Sequence, residues 1–211
     1  MKLDCYEYHP KEAPRSIIIL LHGVGSNGQD LFGLIDQLRP IFPDTVFISP
    51  DAPEKYDMAP MGYQWYSLRD MSIAAKYAGV KAIAPAMHAF LDTQVARFCL
   101  THRRLGVIGF SQGCMTALYC AITSAHDWAG VAGFSGGLLG EEYAQTKRRT
   151  PIHLVHGEMD EVVPVERYHE SLAKLAKTDI PLSNDLRPNL GHSIDGPGLR
   201  SAVEFLRKNL D

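Results

Sequence analysis

Short, uninterrupted apolar segments alternate along the chain with longer segments in which apolar residues recur at helical spacing. The apolar segments have the length of strands and cover residues 16–22, 45–49, 105–110, 129–134 and 152–156. Their continuous hydrophobicity is typical of strands that are buried on both faces of a parallel sheet. The helical patterns cover residues 29–38, 73–100, 112–124, 165–177 and 198–210. This alternation predicts an α/β fold, with a mostly parallel central sheet and helices on both of its faces.

Length and composition are those of a folded globular protein. The chain has 211 residues, of which 45% are hydrophobic and 21% are charged, close to the averages of globular domains. No repeat, low-complexity tract or flexible linker divides the sequence. We therefore expect residues 1–211 to form a single domain.

Charge and hydropathy exclude several kinds of partner. The formal net charge of -3 offers no basic excess for the phosphate backbone of a nucleic acid. The longest apolar run, at residues 16–21, is far shorter than the roughly 20 residues of a transmembrane helix. Asp4, Glu7 and Pro10 also disfavour a signal peptide. We expect a cytoplasmic protein that neither binds nucleic acid nor inserts stably into a membrane.

The spacing of cysteines and histidines argues against disulfides and metal sites. Cys5, Cys99, Cys114 and Cys120 form no C-x-x-C pair and are too sparse for a disulfide scaffold, which indicates reduced thiols. The nine histidines are scattered, without an H-E-x-x-H motif or a close His/Cys cluster. We therefore expect no metal ion.

A glycine-rich segment, Gly23-Val24-Gly25-Ser26-Asn27-Gly28, separates the first predicted strand from the first predicted helix. It could be a dinucleotide-binding turn, with Asp51 as the acid that binds the ribose. It could also present a backbone amide to a developing negative charge, or form a tight turn that requires positive φ. The segment alone does not choose among these three interpretations.

A second glycine pattern, Gly109-Phe110-Ser111-Gln112-Gly113, directly follows a predicted strand and directly precedes a predicted helix. This is the context in which G-x-S-x-G forms a sharp turn that exposes a nucleophilic serine. The helix amino terminus at this point also stabilises negative charge. The pattern predicts that Ser111 is a nucleophile rather than an ordinary capping residue.

A serine hydroxyl needs a base to activate it, and the base needs an acid to orient it. In folds of this kind the base is the last of the three along the chain. His192 fits, because it lies between Gly191 and Ser193 in a loop before the final predicted helix. We expect His22 and His156, at strand ends, to hold loops by hydrogen bonding instead.

The acid is expected just beyond the predicted strand at residues 152–156, where three carboxylates occur. Asp160 is favoured, because the following Val162-Val163-Pro164 keeps it in a loop before the next helix. Glu158 stays open as a substitute, and Glu161 is expected to be solvated.

Two long connections follow strands, at residues 50–71 and 135–150, and both are rich in large apolar side chains. Such residues at the carboxyl edge of a sheet could form an apolar groove for a short to medium acyl chain. They could equally cap the edge of the core. The residues concerned are Met58, Met61, Trp65, Leu68, Met71, Leu138 and Leu139.

Four separated segments together resemble the phospholipase/carboxylesterase family of α/β-hydrolases, which includes the acyl-protein thioesterases. They are Leu21-His22-Gly23-Val24-Gly25, the segment around Ser111, His156-Gly157-Glu158-Met159-Asp160 with Val163-Pro164, and Gly191-His192. The resemblance spans nearly the whole chain and implies the α/β-hydrolase fold and a Ser111, Asp160, His192 triad. It also implies an oxyanion hole formed by the backbone N–H groups of Val24 and Gln112. Residues 23–28 would then present an amide to the tetrahedral intermediate instead of binding phosphates, and no cofactor is expected.

The same resemblance implies that Trp65 and Tyr66 lie near the acyl site. The chain departs from the family pattern at Ser67, where many relatives have aspartate, and at Cys114, where they have a small residue. The expected substrate is a small-molecule or lipid ester, a thioester of an acylated protein, or a lysophospholipid. Substrate contacts are expected from Trp65, Tyr66, Leu68 and Leu138.

Two other functions stay open at this point: a non-catalytic module that binds acyl groups or a partner, and an NAD-dependent oxidoreductase that uses residues 23–28. The intact set of nucleophile, base and acid favours chemistry over binding alone. An apolar outer surface could support a homodimer, which nothing in the sequence locates.

Overall fold

A seven-stranded sheet forms the centre of the computed structural model, which describes residues 2–210. The strands are β1 (Cys5–Tyr8), β2 (Ser16–Leu21), β3 (Thr45–Pro50), β4 (Glu54–Lys55), β5 (Tyr63–Gln64), β6 (Leu105–Phe110), β7 (Gly130–Phe134), β8 (Ile152–Gly157) and β9 (Leu182–Arg187). Their order in the large sheet is β1-β3-β2-β6-β7-β8-β9, and β4 and β5 form a separate hairpin. Only β1 pairs antiparallel with its neighbour in the large sheet.

Helices cover both faces of the sheet. They are α1 (Gly28–Phe32), α2 (Ile35–Leu38), α3 (Ile73–Arg97), α4 (Gln112–Thr123), α5 (Val165–Leu175) and α6 (Gly196–Leu210). Successive side chains of a strand point to opposite faces, and β2 shows the consequence. Ile17 and Ile19 join a core with α3, α4 and α5, whereas Ile18 and Leu20 join a second core with α1, α2 and α6. The predicted fold class is therefore confirmed.

All five predicted strands are present, but two strands of the large sheet were not predicted. Strands β1 and β9 lie at its two edges and are only partly buried, so they lack the continuous apolar run on which the prediction relied. The helix predicted at residues 29–38 is divided into α1 and α2 by a turn at Gly33 and Leu34. The long helix ends at Arg97, three residues before the predicted end.

The carboxyl ends of parallel strands meet at one edge of the sheet, and the predicted site residues follow those ends. Ser111 follows β6 directly, Asp160 lies beyond β8, and His192 lies between β9 and α6. Open parallel sheets bind ligands at this edge. None of the helices in residues 2–210 has the length and apolar character to span a bilayer.

Candidate active site

The turn between β6 and α4 holds Ser111 in a strained conformation. Its φ is 54°, a left-handed value that few residues other than glycine adopt. The chain can turn this sharply because the residues two positions before and after Ser111 are glycines. A Cβ atom on Gly109 would lie 2.7 Å from Cα of Cys114, and one on Gly113 would lie 2.0 Å from the carbonyl oxygen of Leu21. The turn therefore requires glycine at both positions.

Three predicted side chains lie in one hydrogen-bonded line. The Nε2 atom of His192 is 3.0 Å from Oγ of Ser111, and its Nδ1 atom is 2.8 Å from Oδ2 of Asp160. A carboxylate only accepts hydrogen bonds, so the imidazole proton belongs on Nδ1 and Nε2 is free to accept from the serine hydroxyl. The Phe110 ring, 4.9 Å from the imidazole ring, packs beside His192. This arrangement can move a proton from Ser111 to His192.

Asp160 is buried and held as a carboxylate by the loop that follows it. Its second oxygen, Oδ1, accepts hydrogen bonds from the backbone N–H groups of Val162 at 2.9 Å and Val163 at 2.8 Å. Burial opposes ionisation most strongly, but these bonds and the one from His192 together hold the pKa of Asp160 below its usual value. Glu158 and Glu161 are exposed, so Asp160 alone of the three acids contacts the imidazole.

His156 supports the same loop. Its Nε2–H donates to the carbonyl of Val163 at 2.8 Å, and the same atom is 3.5 Å from Oδ2 of Asp160. Burial holds the pKa of His156 below its usual value, so the ring is neutral. The expected loop-holding role of a histidine at this strand end agrees with these contacts.

The glycine-rich segment forms a turn against the nucleophile. The N–H of Ser26 donates to the carbonyl of Gly23, and Gly25 has a φ of 77°, which the third position of a type II turn requires. A Cβ atom on Gly23 would lie only 3.3 Å from Cβ of Ser111. Within residues 2–210, the backbone N–H groups of Val24 and Gln112 have no protein acceptor, which leaves both available to a ligand.

Asp51, the acid of the dinucleotide interpretation, has a different partner. Its Oδ1 atom accepts a 2.7 Å hydrogen bond from the backbone N–H of Gly28. A Cβ atom on Gly28 would lie 2.4 Å from the carbonyl oxygen of Ser49. Asp51 therefore anchors the glycine-rich segment to the end of β3, and Gly28 permits close packing there.

His22 fixes the peptide that carries the Val24 N–H. The N–H of Ala52 donates to Nε2 of His22 at 3.0 Å, so the proton of this neutral ring is on Nδ1, which donates to the carbonyl of Gly23 at 2.7 Å. Burial lowers the pKa of His22. Because the Gly23 carbonyl and the Val24 N–H belong to one planar peptide, this bond sets the direction of the N–H.

Trp65 and the side chain of Gln112 link the two loops, a role that sequence analysis missed. The indole Nε1–H of Trp65 donates to the carbonyl of His22 at 2.8 Å, and its backbone N–H donates to Oε1 of Gln112 at 2.9 Å. The Nε2 group of Gln112 donates to the carbonyl of Tyr66 at 2.7 Å. No local pattern reveals these bonds, because the partners are more than 40 residues apart in sequence.

Two cavities are lined by triad residues or by their neighbours in the chain. The first has a volume of about 280 Å³, and we call it the α5 cavity. It is lined by Ile73, Lys76, Met115, Gly137, Leu138, Leu139, Gly140, Val162, Val163, Pro164, Arg167, Glu170 and Lys174. The second, which we call the His192 cavity, has a volume of about 270 Å³ and is lined by His22, Gly23, Ser26, Asp30, Leu31, Phe110, His192, Ser193 and Ile194.

The predicted substrate contacts lie at different places relative to these cavities. Leu138 lines the α5 cavity, and Leu68 is partly buried outside both linings. Trp65 and Tyr66 are 1% and 4% exposed, and the Tyr66 hydroxyl contacts the sulfur of Met115, which lines the α5 cavity. A direct substrate contact by any of these four residues stays a prediction.

Within residues 2–210, no three His, Cys, Asp or Glu side chains are grouped so that they could hold a metal ion. All four cysteines are free thiols. Burial raises the pKa of Cys114 to about 12, so this thiol, although close to Ser111 in sequence, is not ionised at neutral pH.

Comparison with known proteins identifies the family of this chain. The family model described as Phospholipase/Carboxylesterase matches residues 8–210. Esterase YpfH of Escherichia coli is 28% identical over 98% of this chain and 89% of its own length, and acyl-protein thioesterase 1 of Schizosaccharomyces pombe is 29% identical over 77% and 76%.

Solved structures give the same result. The crystal structure of esterase PE8 has a TM-score of 0.94 and 34% identity over 100% of both chains, and that of Zea mays acyl-protein thioesterase 2 has 0.81 and 25% over 100% of both. The protein is thus a hydrolase similar to carboxylesterases and thioesterases. The chain belongs to the phospholipase/carboxylesterase family of α/β-hydrolases, as the four sequence segments predicted.

Proposed function

We propose that the protein cleaves carboxylic esters through an acyl-enzyme, with Ser111 as nucleophile, His192 as general base and acid, and Asp160 as the residue that orients the imidazole. The observation that carries the proposal is the hydrogen-bonded line from Ser111 Oγ through His192 to Asp160, at 3.0 and 2.8 Å. Nucleophile, base and orienting acid within hydrogen-bond reach are the signature of this chemistry.

The reaction has two steps, acylation and deacylation, and His192 carries the proton in both. Ser111 Oγ attacks the carbonyl carbon as its proton moves to Nε2 of His192, and the leaving group then takes that proton as its bond to carbon breaks. Water attacks the acyl-enzyme in the same way, which releases the acid and restores Ser111. The N–H groups of Val24 and Gln112 stabilise the oxyanion, a contribution of roughly 3 kcal/mol per donor in other enzymes.

The two cavities suggest how a substrate is divided. The leaving group must lie near His192, which protonates it, so we assign it to the His192 cavity and the acyl group to the α5 cavity. Leu138, Leu139 and Met115 give the α5 cavity an apolar wall. Relatives named esterase and acyl-protein thioesterase, together with the family description Phospholipase/Carboxylesterase, support oxygen esters and thioesters, of small molecules, lysophospholipids or acylated proteins, as the substrate class.

Labelling with a fluorophosphonate probe and hydrolysis of p-nitrophenyl butyrate test the proposal together. Ser111→Ala is expected to abolish labelling and to lower kcat on the order of 10⁶-fold. Ser135→Ala is the matched control, because Ser135 also has positive φ at a strand end but its buried hydroxyl has no partner within residues 2–210. It should retain both signals. A wild-type protein that neither labels nor hydrolyses esters would instead be a binding module.

A further inference from the structure

The α5 cavity has a positive lining in a protein whose net charge is negative. Lys76, Arg167 and Lys174 line it, and Glu170 is its single acidic lining residue, whereas the whole chain carries a formal charge of -3. The rest of the lining is apolar or small. A purely hydrocarbon acyl chain would make no favourable electrostatic interaction with these three cations.

Two of the three cations are already paired. Lys174 lies 2.8 Å from Glu141 and also donates to the carbonyl of Gly140, and Arg167 forms an ion pair with Glu170. The side-chain ammonium of Lys76, in the first turn of α3, has neither an ion pair nor a hydrogen bond within residues 2–210, although the backbone N–H of Lys76 donates to the carbonyl of Ser72. Partial burial and the nearby Arg167 guanidinium hold the pKa of Lys76 below its usual value, which indicates a cation that lacks a compensating anion.

Two residues that line the α5 cavity are hydrogen-bonded to residues of the triad. Met115, which lines it, donates its backbone N–H to the carbonyl of Ser111, and Val163, also in the lining, donates to Asp160. The His192 cavity has the opposite balance, because its lining contains one acidic residue, Asp30, and no lysine or arginine. An anionic group is therefore favoured on the acyl side of the scissile bond and disfavoured on the leaving-group side.

We propose that the α5 cavity takes acyl groups that end in a carboxylate, and that the Lys76 ammonium binds this carboxylate while Leu138 and Leu139 contact the methylene chain. The proposal rests on the proposed function, since it specifies the acyl half of the same substrate. It places monoesters and monothioesters of dicarboxylic acids in the substrate class.

Paired substrates test the proposal by a ratio of kcat/KM values. The numerator is mono-p-nitrophenyl suberate, the denominator is p-nitrophenyl octanoate, and the two differ only at the far end of the acyl chain. Lys76→Met should lower this ratio by about tenfold or more, the typical loss of a charge-assisted hydrogen bond. Lys76→Arg should preserve it. In the wild type, 0.5 M NaCl should lower it, because salt screens exposed charges.

Lys208→Met is the matched control, since it removes the same charge from α6, outside both cavities, and should leave the ratio unchanged. Octanoate hydrolysis by each variant shows that it is folded. An equal ratio in wild type and Lys76→Met overturns the inference alone, whereas no hydrolysis of any ester overturns the proposed function. A Lys76-dependent preference for 4-carboxyphenyl octanoate, with the anion on the leaving group, also overturns the acyl-side assignment.

Discussion

The indole Nε1–H of Trp65 donates a 2.8 Å hydrogen bond to the backbone carbonyl of His22. Both groups are buried, and the backbone N–H of Trp65 binds the Gln112 side chain as well. One residue of the segment after β5 thus ties together the two turns that supply the Val24 and Gln112 amides. Preorganised donors are effective because they need no rearrangement during the reaction, so Trp65 is a positioning residue for the proposed oxyanion hole.

Trp65→Phe is expected to lower kcat by about ten- to a hundredfold, with a smaller change in KM. The substitution leaves the His22 carbonyl buried without its donor, and small displacements of oxyanion donors are costly. Steady-state kinetics with p-nitrophenyl butyrate measures the effect. Trp128→Phe is the control, because the Nε1 atom of Trp128 is buried without a partner within residues 2–210. Equal kcat values for the two variants would contradict the positioning role.

The sequence alone predicts features that depend on residues close together along the chain. Ser111 and Asp160 follow strands that the sequence predicts, and His192 follows a glycine just before the last predicted helix, so their convergence could be predicted from the fold class. The bonds among His22, Trp65 and Gln112 could not, because they depend on how residues 50–71 fold back across the edge of the sheet. Strand β9 was missed for a related reason: its exposed polar residues give no apolar run, although it leads directly to His192.

Asp160→Asn is expected to lower kcat by up to about 10⁴-fold, because an amide in this position can hold the imidazole in the wrong tautomer. Glu158→Gln removes an exposed carboxylate two residues away and should change kcat little. The two variants, assayed with the same ester, decide between the acids that the sequence left open. A large loss in Glu158→Gln with a small loss in Asp160→Asn would transfer the role to Glu158.

Gly113→Ala is expected to destabilise the protein by more than 3 kcal/mol or to prevent folding. The added Cβ would lie 2.0 Å from the carbonyl oxygen of Leu21, a backbone atom in the central sheet that cannot move aside, and overpacking of this kind costs about 1–3 kcal/mol even where neighbours can adjust. Urea unfolding measures the change. Gly196→Ala is the control, since its Cβ would meet only the flexible end of Arg200 at 3.4 Å. Similar stability of both variants would contradict the steric account of the turn.

Acid is expected to destabilise the protein below about pH 6.5 through its buried histidines. Burial lowers the pKa of His22, His153 and His156 from the usual 6.5, so below that pH the unfolded chain binds protons that the folded chain does not. Stability therefore falls with decreasing pH until the folded pKa values are reached, by at most about 1.4 kcal/mol per pH unit for each histidine.

His153→Gln isolates one of these histidines at a distance from the triad, where its ring bonds Ser183 and Ser201. The free energy of unfolding of this variant should fall less steeply between pH 6.5 and 5.5 than that of the wild type. The two slopes should differ by up to about 1.4 kcal/mol per pH unit, the contribution of one proton. Urea unfolding at pH 7.5, 6.5 and 5.5 measures both slopes. The variant loses the stacking of His153 on Phe205, so its absolute stability will differ, but that loss is independent of pH. Parallel curves for the two proteins would show that His153 takes up its proton equally in the folded and unfolded states.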